Sequence, residues 1–157
     1  MHLPPLPHAR RAYEPGEPTL YSLLEDAHRA LDEHLAEVID AVDAGLERSA
    51  LVEVWRAFDH ALRAHLELEE TWLLPGLQAS HPDEVRALRD EHLALKAWLE
   101  ELDLAVELHS VRAAALLAFL GNLRAHARTE DLGIYRWADQ ELEPRARIGL
   151  RRALSPA

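Results

Sequence analysis

Two segments of this sequence each occur twice, and a repeated segment should adopt the same local structure in both copies. Residues 24–31 align with residues 88–95, and these copies share leucines, an aspartate, an alanine and a histidine. Residues 65–70 align with residues 126–131, and each copy contains a histidine with a glutamate four residues later. The two kinds of segment alternate along the chain, which indicates two tandem hairpins of similar structure.

From residue 19 onward, apolar residues recur at intervals of three and four, the spacing of amphipathic helices. The pattern predicts four long helices, running from Thr19 or Ser22 to about Ala44, from after Ser49 to before Pro75, from Pro82 to about Leu108, and from after Ser110 to before Pro144. Ser22 and Glu25 have the spacing of a capping box, and Gly45 is a typical helix stop. Short connections between helices of similar length favour antiparallel neighbours. We therefore expect an all-α fold, an up-down-up-down four-helix bundle.

The chain has 157 residues, which is enough for one domain with its own core. We assign residues 19–143 to the bundle. Residues 1–18 contain five prolines and predict an extended arm. Residues 144–157 form a basic tail whose pattern is compatible with a short extra helix.

Composition excludes several kinds of site and disfavours two kinds of partner. The chain has no cysteine, so a metal must be held by nitrogen and oxygen, and disulfides, thiolate sites and thiol catalysis are excluded. Its formal net charge of -11 disfavours binding to nucleic acids and to anionic membranes. No apolar run approaches the roughly 20 residues of a membrane helix. We expect a cytoplasmic protein without a nucleic-acid or membrane partner, and no long apolar stripe predicts a protein partner.

The repeated histidines and glutamates are predicted to point into the bundle. Residues four apart lie on one face of a helix, and each His–Glu pair shares its face with large apolar residues. The single histidines of the other repeat lie on leucine stripes. Burying unpaired carboxylates costs several kcal/mol each, a cost that bound cations would offset. The candidate metal ligands are His28, His65, Glu69, His92, His126 and Glu130. Imidazole with carboxylate suits iron, manganese or zinc, and helical bundles build two-metal sites from such groups.

These residues, in this order and spacing, resemble the hemerythrin-like HHE cation-binding domain over roughly residues 20–142. The resemblance implies two non-haem iron ions joined by an oxo or hydroxo bridge, with Glu69 and Glu130 spanning both ions. It implies that one iron is held by His28 and His65, and the other by His92 and His126.

One family feature is missing. Oxygen-carrying hemerythrins have a further histidine four residues from that of the third helix, where this chain has Leu88 and Lys96. The resemblance then implies two histidines and two shared glutamates for each iron, with an open position for oxygen, nitric oxide, peroxide or water.

Other polar and aromatic residues receive different predictions. His34 and His60 lie off the core-facing stripes and are predicted to be surface residues. Solvated positions are also predicted for His2, His8, His81 and His109. Glu70 and Asp131 are candidate acceptors beside the ligands, although Asp131 is also an alternative to Glu130 as ligand. Trp72 and Tyr21 are predicted to pack in the core, and Tyr21 is alternatively a hydrogen-bond donor at the site.

Three functions follow from these predictions. The favoured one is a binding protein for oxygen or nitric oxide that acts in sensing, delivery or scavenging. The second is a diiron enzyme with oxidase, peroxidase or nitric-oxide-handling activity, whose electrons come from an external donor. The third is an iron store or a metal-free structural bundle. The sequence contains no dinucleotide or phosphate-binding motif for a further cofactor.

Overall fold

The computed structural model describes residues 16–155, and most of them are helical. The helices are α1 (Leu20–Asp43), α2 (Arg48–Trp72), α3 (Leu74–Leu77), α4 (Pro82–Glu107), α5 (Ala113–Leu132), α6 (Ile134–Glu141) and α7 (Pro144–Leu154). No strand occurs between residues 16 and 155, so the predicted all-α class is confirmed there. The predicted arm lies outside the described residues as far as residue 15, together with His2 and His8.

Local capping determines where the first long helix begins and ends. The Thr19 side chain accepts the backbone N–H of Ser22 at 3.0 Å, so Thr19 is the N-cap and the predicted capping box of Ser22 and Glu25 is wrong. At the other end, Gly45 has a φ of +65° and adopts the left-handed conformation. The amides of Gly45 and the next residue donate to carbonyls of the last turn, as in a Schellman motif. Gly45 is the predicted helix stop.

The other helix predictions are close, with two corrections. Helix α2 begins one residue before Ser49 and ends before Pro75, as predicted. The short helix α3, which follows α2 and contains Pro75, was not predicted. Pro75 is tolerated there because a residue in the first helical turn has no intrahelical acceptor for its N–H, so proline loses no hydrogen bond. The prediction of a single fourth helix is wrong, because the helix is interrupted at Gly133 and divided into α5 and α6. Gly133 has φ -117° and ψ -94°, which lie outside the helical region.

The four long helices form a ring of contacts in which α1 packs against α2 and α5, and α4 packs against α2 and α5. Two apolar clusters lie along this ring. The large core includes Trp55, Phe58 and Phe119. The small core includes Leu24 and Ile134. Each fully buried side chain of this size stabilises the fold by about 1.5–3 kcal/mol, so both clusters contribute substantially.

The basic tail forms α7, which packs against α1 and α2. Leu150 is fully buried in the small core. Arg151 Nη1 donates to the carbonyl of Pro18 at 2.8 Å, which joins the tail to the start of the bundle. The short extra helix considered from the sequence is therefore present and is docked on the bundle.

Between residues 16 and 155, no helix has both the length and the apolar character needed to cross a membrane.

Candidate metal centre

Each long helix contributes to one polar layer between the two apolar cores. Along α1, Leu24 belongs to the small core and Leu31 to the large core, and His28 lies between them. The structure brings all six predicted ligands into this layer, namely His28 from α1, His65 and Glu69 from α2, His92 from α4, and His126 and Glu130 from α5. None of their side chains is more than 10% exposed. That they hold metal stays a prediction.

The six residues form two groups that share both glutamates. The first ligand group is His28, His65, Glu69 and Glu130, and the second ligand group is Glu69, His92, His126 and Glu130. Within each group, one potential ligand atom from every residue lies within 4.8 Å of the others. Such a pair of groups could hold two cations side by side.

Glu69 directs one oxygen to each ligand group. Its Oε1 is 3.1 Å from His65 Nε2, and its Oε2 is 3.4 Å from His92 Nε2. Glu130 does the same, with Oε2 at 3.1 Å from His28 Nε2 and Oε1 at 3.0 Å from His126 Nε2. A carboxylate that bridges two metal ions through both of its oxygens has this arrangement.

Two of these buried atoms lack a hydrogen-bond partner among the described residues. They are Glu69 Oε2 and His126 Nε2. His126 Nε2 is close to Glu130 Oε1, but the pair does not have hydrogen-bond geometry. Leaving a buried polar atom unpaired costs about 1–3 kcal/mol. Both atoms belong to the second ligand group, so a cation there would satisfy them, and the residues fit a metal.

When no metal is bound, protonated histidines balance the negative charges of Glu69 and Glu130. Burial lowers the pKa of His92, but its close contacts with the carboxylates of Glu130 and Glu69 outweigh burial and raise that pKa to about 10. The pKa values of His28 and His126 are raised in the same way, since burial is again outweighed by Glu130. A metal ion would have to displace these protons, because imidazole binds metal in its neutral form.

Both shared glutamates favour the charged form. Burial raises the pKa of Glu130, but close contacts with His126, His28 and His92 hold it well below its usual value. Burial and the charge of Glu130 raise the pKa of Glu69, yet the contacts with His65 and His92 leave it lowered. The layer is therefore built around two carboxylates that require nearby positive charge.

Three of the four histidines place Nδ1 against a carboxylate outside the ligand groups. The pairs are His28 with Asp131 at 3.1 Å, His92 with Glu70 at 3.0 Å, and His126 with Glu91 at 2.6 Å. Such partners fix the tautomer and orientation of metal-binding histidines. Nδ1 of the fourth, His65, is buried and unpartnered among the described residues.

These contacts bear on the predictions for Glu70 and Asp131. Glu70 is an acceptor beside the candidate ligand His92, as predicted. Lys96, one of the two residues four positions from His92, donates its Nζ–H to Glu70 Oε1 at 3.0 Å. Asp131 contacts His28 Nδ1 and belongs to neither ligand group, whereas Glu130 belongs to both. The sequence did not predict the role of Glu91, because no spacing rule relates it to a histidine on another helix.

Tyr135 is a second residue whose position at the site the sequence did not predict. Its hydroxyl donates to Glu69 Oε1 and lies 2.8 Å from His28 Nε2. Burial, followed by the charges of Glu69 and Glu130, raises the pKa of Tyr135 well above its usual value. Tyr21 packs against the small core as predicted, and among residues 16–155 its hydroxyl has no hydrogen bond to the site.

The remaining described histidines lie outside both ligand groups. His60, His81 and His109 are exposed, as predicted. The side chain of His34 is 42% exposed and points towards Glu37, with 4.0 Å between Nδ1 and Oε2. His34 is therefore more covered than a fully exposed surface residue, but it belongs to neither ligand group.

A small cavity of about 30 Å³ lies beside the site. His28, His65 and His126 contribute to its wall, and the rest of the wall is mainly apolar, including Leu31, Leu62, Leu66, Leu120 and Leu123. A single water needs a cavity of about 10–15 Å³, so this space suits a molecule of one to a few atoms. Asp32 and Arg124 line the same cavity and form an ion pair, with Nη2 and Oδ1 2.8 Å apart.

The comparisons agree with the resemblance noted in the sequence. The family model of the hemerythrin HHE cation binding domain matches residues 19–138, which includes all six candidate ligands and ends before α7. Among curated proteins and among solved structures, none matches the chain. The match covers most of the chain, and the paired His–Glu groups lie within it. This chain belongs to the hemerythrin HHE cation-binding domain family.

Proposed function

We propose that this protein is a non-haem dinuclear iron protein that binds oxygen or nitric oxide for sensing, delivery or scavenging. The observation that carries the proposal is the sharing of Glu69 and Glu130 by two ligand groups. The proposal includes an up-down-up-down course for the four long helices, supported by their ring of contacts. It also includes the cytoplasmic location expected from the sequence, which cell fractionation would test.

In this proposal, each ligand group holds one ion. His28 and His65 would hold one ion, and His92 and His126 would hold the other, with the glutamates held in common. Nitrogen and oxygen ligands without sulfur suit iron, and they leave manganese and zinc as chemical alternatives. When bound, iron supplies the redox-active centre with which oxygen and nitric oxide react.

The chain itself supports a small, uncharged ligand. The cavity beside the site has a volume of about 30 Å³, and apart from three histidines and the Asp32–Arg124 ion pair its wall consists of leucine and alanine. An apolar wall offers no compensation for the desolvation of an ion, so it favours a neutral diatomic molecule. The outer carboxylates on three histidines hold the ligand nitrogens in one orientation towards the site.

Metal analysis and ligand titration test this proposal. Protein purified without chelators should contain about two irons per chain, and its absorption should change reversibly when oxygen or nitric oxide is added and removed. A diiron enzyme would instead consume oxidant in proportion to added reductant. No bound metal after anaerobic iron reconstitution would contradict the proposal and favour a structural bundle.

A matched pair of variants tests the site assignment. His65→Ala removes a member of the first ligand group and should lower the iron content to about one ion per chain or less. His34→Ala removes a histidine outside both groups and should leave the iron content unchanged. Equal iron content in both variants would contradict the assignment.

A further inference from the structure

The hydroxyl of Tyr135 lies among the four polar atoms of the first ligand group. Its Oη is 2.8 Å from His28 Nε2 and 3.1 Å from His65 Nε2. It also donates to Glu69 Oε1 and lies 3.4 Å from Glu130 Oε2. In a six-coordinate site with bonds of about 2.1 Å, a ligand adjacent to four others lies about 3 Å from each. The phenol oxygen is close to that distance from three of the four atoms, and it touches the fourth through its hydrogen bond.

Hydrogen bonds account for three of these four contacts at most. A phenol can donate to Glu69 and accept from His28 and His65 if their Nε2 atoms carry protons, but its single proton does not also serve Glu130. Tyr135 is fully buried, and its other three neighbours are atoms whose lone pairs would face a metal. Metal binding through the phenol oxygen accounts for all four contacts at once.

The helix break at Gly133 is what brings Tyr135 to the site. In an unbroken helix, five residues turn the chain by about 500°, so residue 135 would lie about 140° around the helix from Glu130. The break starts a new helix at Ile134 and redirects the next side chain. Tyr135 and Glu130 therefore reach the same ligand group although their spacing is wrong for one helix face.

The two halves of the internal repeat differ at this position. Tyr135 follows Glu130 by five residues, and Leu74 follows Glu69 by five residues. Leu74 is buried in the small core and has no atom that could bind a metal. The repeat is otherwise close to symmetric in its histidines and glutamates, so the phenol makes the two ligand groups chemically different.

We propose that Tyr135 is an additional metal ligand, which binds the ion of the first ligand group through its phenol oxygen. This inference rests on the proposed dinuclear iron site. The phenol loses its proton to solvent on binding, as metal-bound donors do, and the ligand set of the first ion becomes two histidines, two glutamates and one tyrosine. The second ion has no equivalent ligand from Leu74, so the two ions are not equivalent.

Spectroscopy of ferric protein tests the proposal. Phenolate bound to iron(III) gives a visible charge-transfer band, and resonance Raman excitation in that band enhances ring vibrations that shift when the tyrosine ring is deuterated. Wild-type protein and a Tyr13→Phe/Tyr21→Phe double variant should show both signals, because Tyr135 is then the remaining tyrosine of three. Tyr135→Phe keeps the ring and should lose both signals.

Iron content measured on the same samples separates the outcomes. Iron-loaded wild-type protein without tyrosine-dependent vibrations would overturn the role of Tyr135 and leave the dinuclear site intact. A signal that persists in Tyr135→Phe, or is lost in the double variant, would also overturn it. A wild-type protein that binds no iron would overturn both this inference and the proposed function. The double variant keeps Tyr135, so it decides the question even if Tyr135→Phe does not fold.

Discussion

Each histidine of the ligand groups has two ring nitrogens, and their separate contacts define its chemistry. In His28, His92 and His126, Nδ1 faces an outer carboxylate, whereas Nε2 faces the shared glutamates. A carboxylate at Nδ1 favours the tautomer with its proton on Nδ1, which leaves the Nε2 lone pair free for a metal. The outer residues should therefore affect metal affinity without touching the metal.

We expect Glu91→Gln to weaken metal binding by about 10–100-fold, the usual effect of losing such a partner. Glu91 Oε2 is 2.6 Å from His126 Nδ1, and glutamine keeps the length of the side chain but removes its charge. Competition with a chromogenic chelator measures the change. Glu100→Gln is the control, because Glu100 is exposed on the same helix. Equal affinities for the two variants would contradict the role of Glu91.

The metal-free protein should lose stability as the pH rises above neutrality. His92 has a raised pKa of about 10 in the folded state and the usual 6.5 when unfolded, so its contribution is fully present below 6.5 and is lost as the pH rises through 10. The lowered pKa of Glu130 acts oppositely, because its contribution is present above 4.5 and is lost as the pH falls through the lowered folded-state pKa. Stability from these groups should therefore be greatest between 4.5 and 6.5.

Thermal unfolding in chelator, followed by circular dichroism between about pH 5 and pH 10, measures this dependence. His92→Gln should reduce the fall in Tm at high pH, since it removes one of the histidines with a raised pKa. A Tm of the wild-type protein that rises over the same interval would contradict the assignment of protonated histidines to the metal-free site.

At the scale of helices, the docking of α7 on the bundle depends on close approach. Gly149 lies on α7 against the ring of Trp72, and a Cβ atom added at Gly149 would lie 2.5 Å from Trp72 Cζ3. The nearest ring atoms belong to a half-buried side chain packed against the small core. Glycine is therefore required here for packing, although glycine within a helix is intrinsically unfavourable.

We expect Gly149→Ala to destabilise the protein although the same change usually stabilises a helix by about 1 kcal/mol. Overpacking against Trp72 should cost about 1–3 kcal/mol and outweigh that gain. Gly121→Ala is the control, because a Cβ at Gly121 in α5 meets no atom within 4 Å and should be stabilising. Urea unfolding of both variants measures the difference. Stabilisation by Gly149→Ala would show that α7 does not dock as described.

At the scale of the whole molecule, a polar layer separates two apolar clusters. The large core holds the four long helices together on one side of the layer, and the small core joins the helix ends, α6 and α7 on the other. The ligand groups draw side chains from every long helix, so a bound metal would link all four. Metal binding and global stability should therefore be coupled.

Removing the metal should lower the Tm. A ligand that binds the folded state alone stabilises it by about 4 kcal/mol when its free concentration is 1,000 times Kd. Differential scanning calorimetry with and without a chelator measures the shift. His65→Ala, which lacks a ligand of the first group, should respond less to the chelator than the wild-type protein. A wild-type Tm that does not change with chelator, in protein shown to lose its metal, would contradict the coupling.

The sequence by itself was sufficient for the helical class, the approximate bounds of the long helices and the six residues that the structure brings into one layer. These features depend on local spacing, because residues three or four apart share a helix face whatever surrounds the helix. The internal repeat added the pairing of the two halves. The sequence did not reveal the helix break at Gly133 or the short helix α3. At both places the helix is interrupted locally, while the apolar spacing of the sequence continues.

Only the tertiary structure decided which atoms meet. The contact of Glu91 with His126, the position of Asp131 against His28, and the arrival of Tyr135 at the first ligand group each join residues on different helices or across a helix break. Their relation is set by the rotation and spacing of packed helices, which depend on side-chain packing throughout the two cores. Periodicity identifies the face of a helix, whereas the packing of neighbouring helices determines which partner that face contacts.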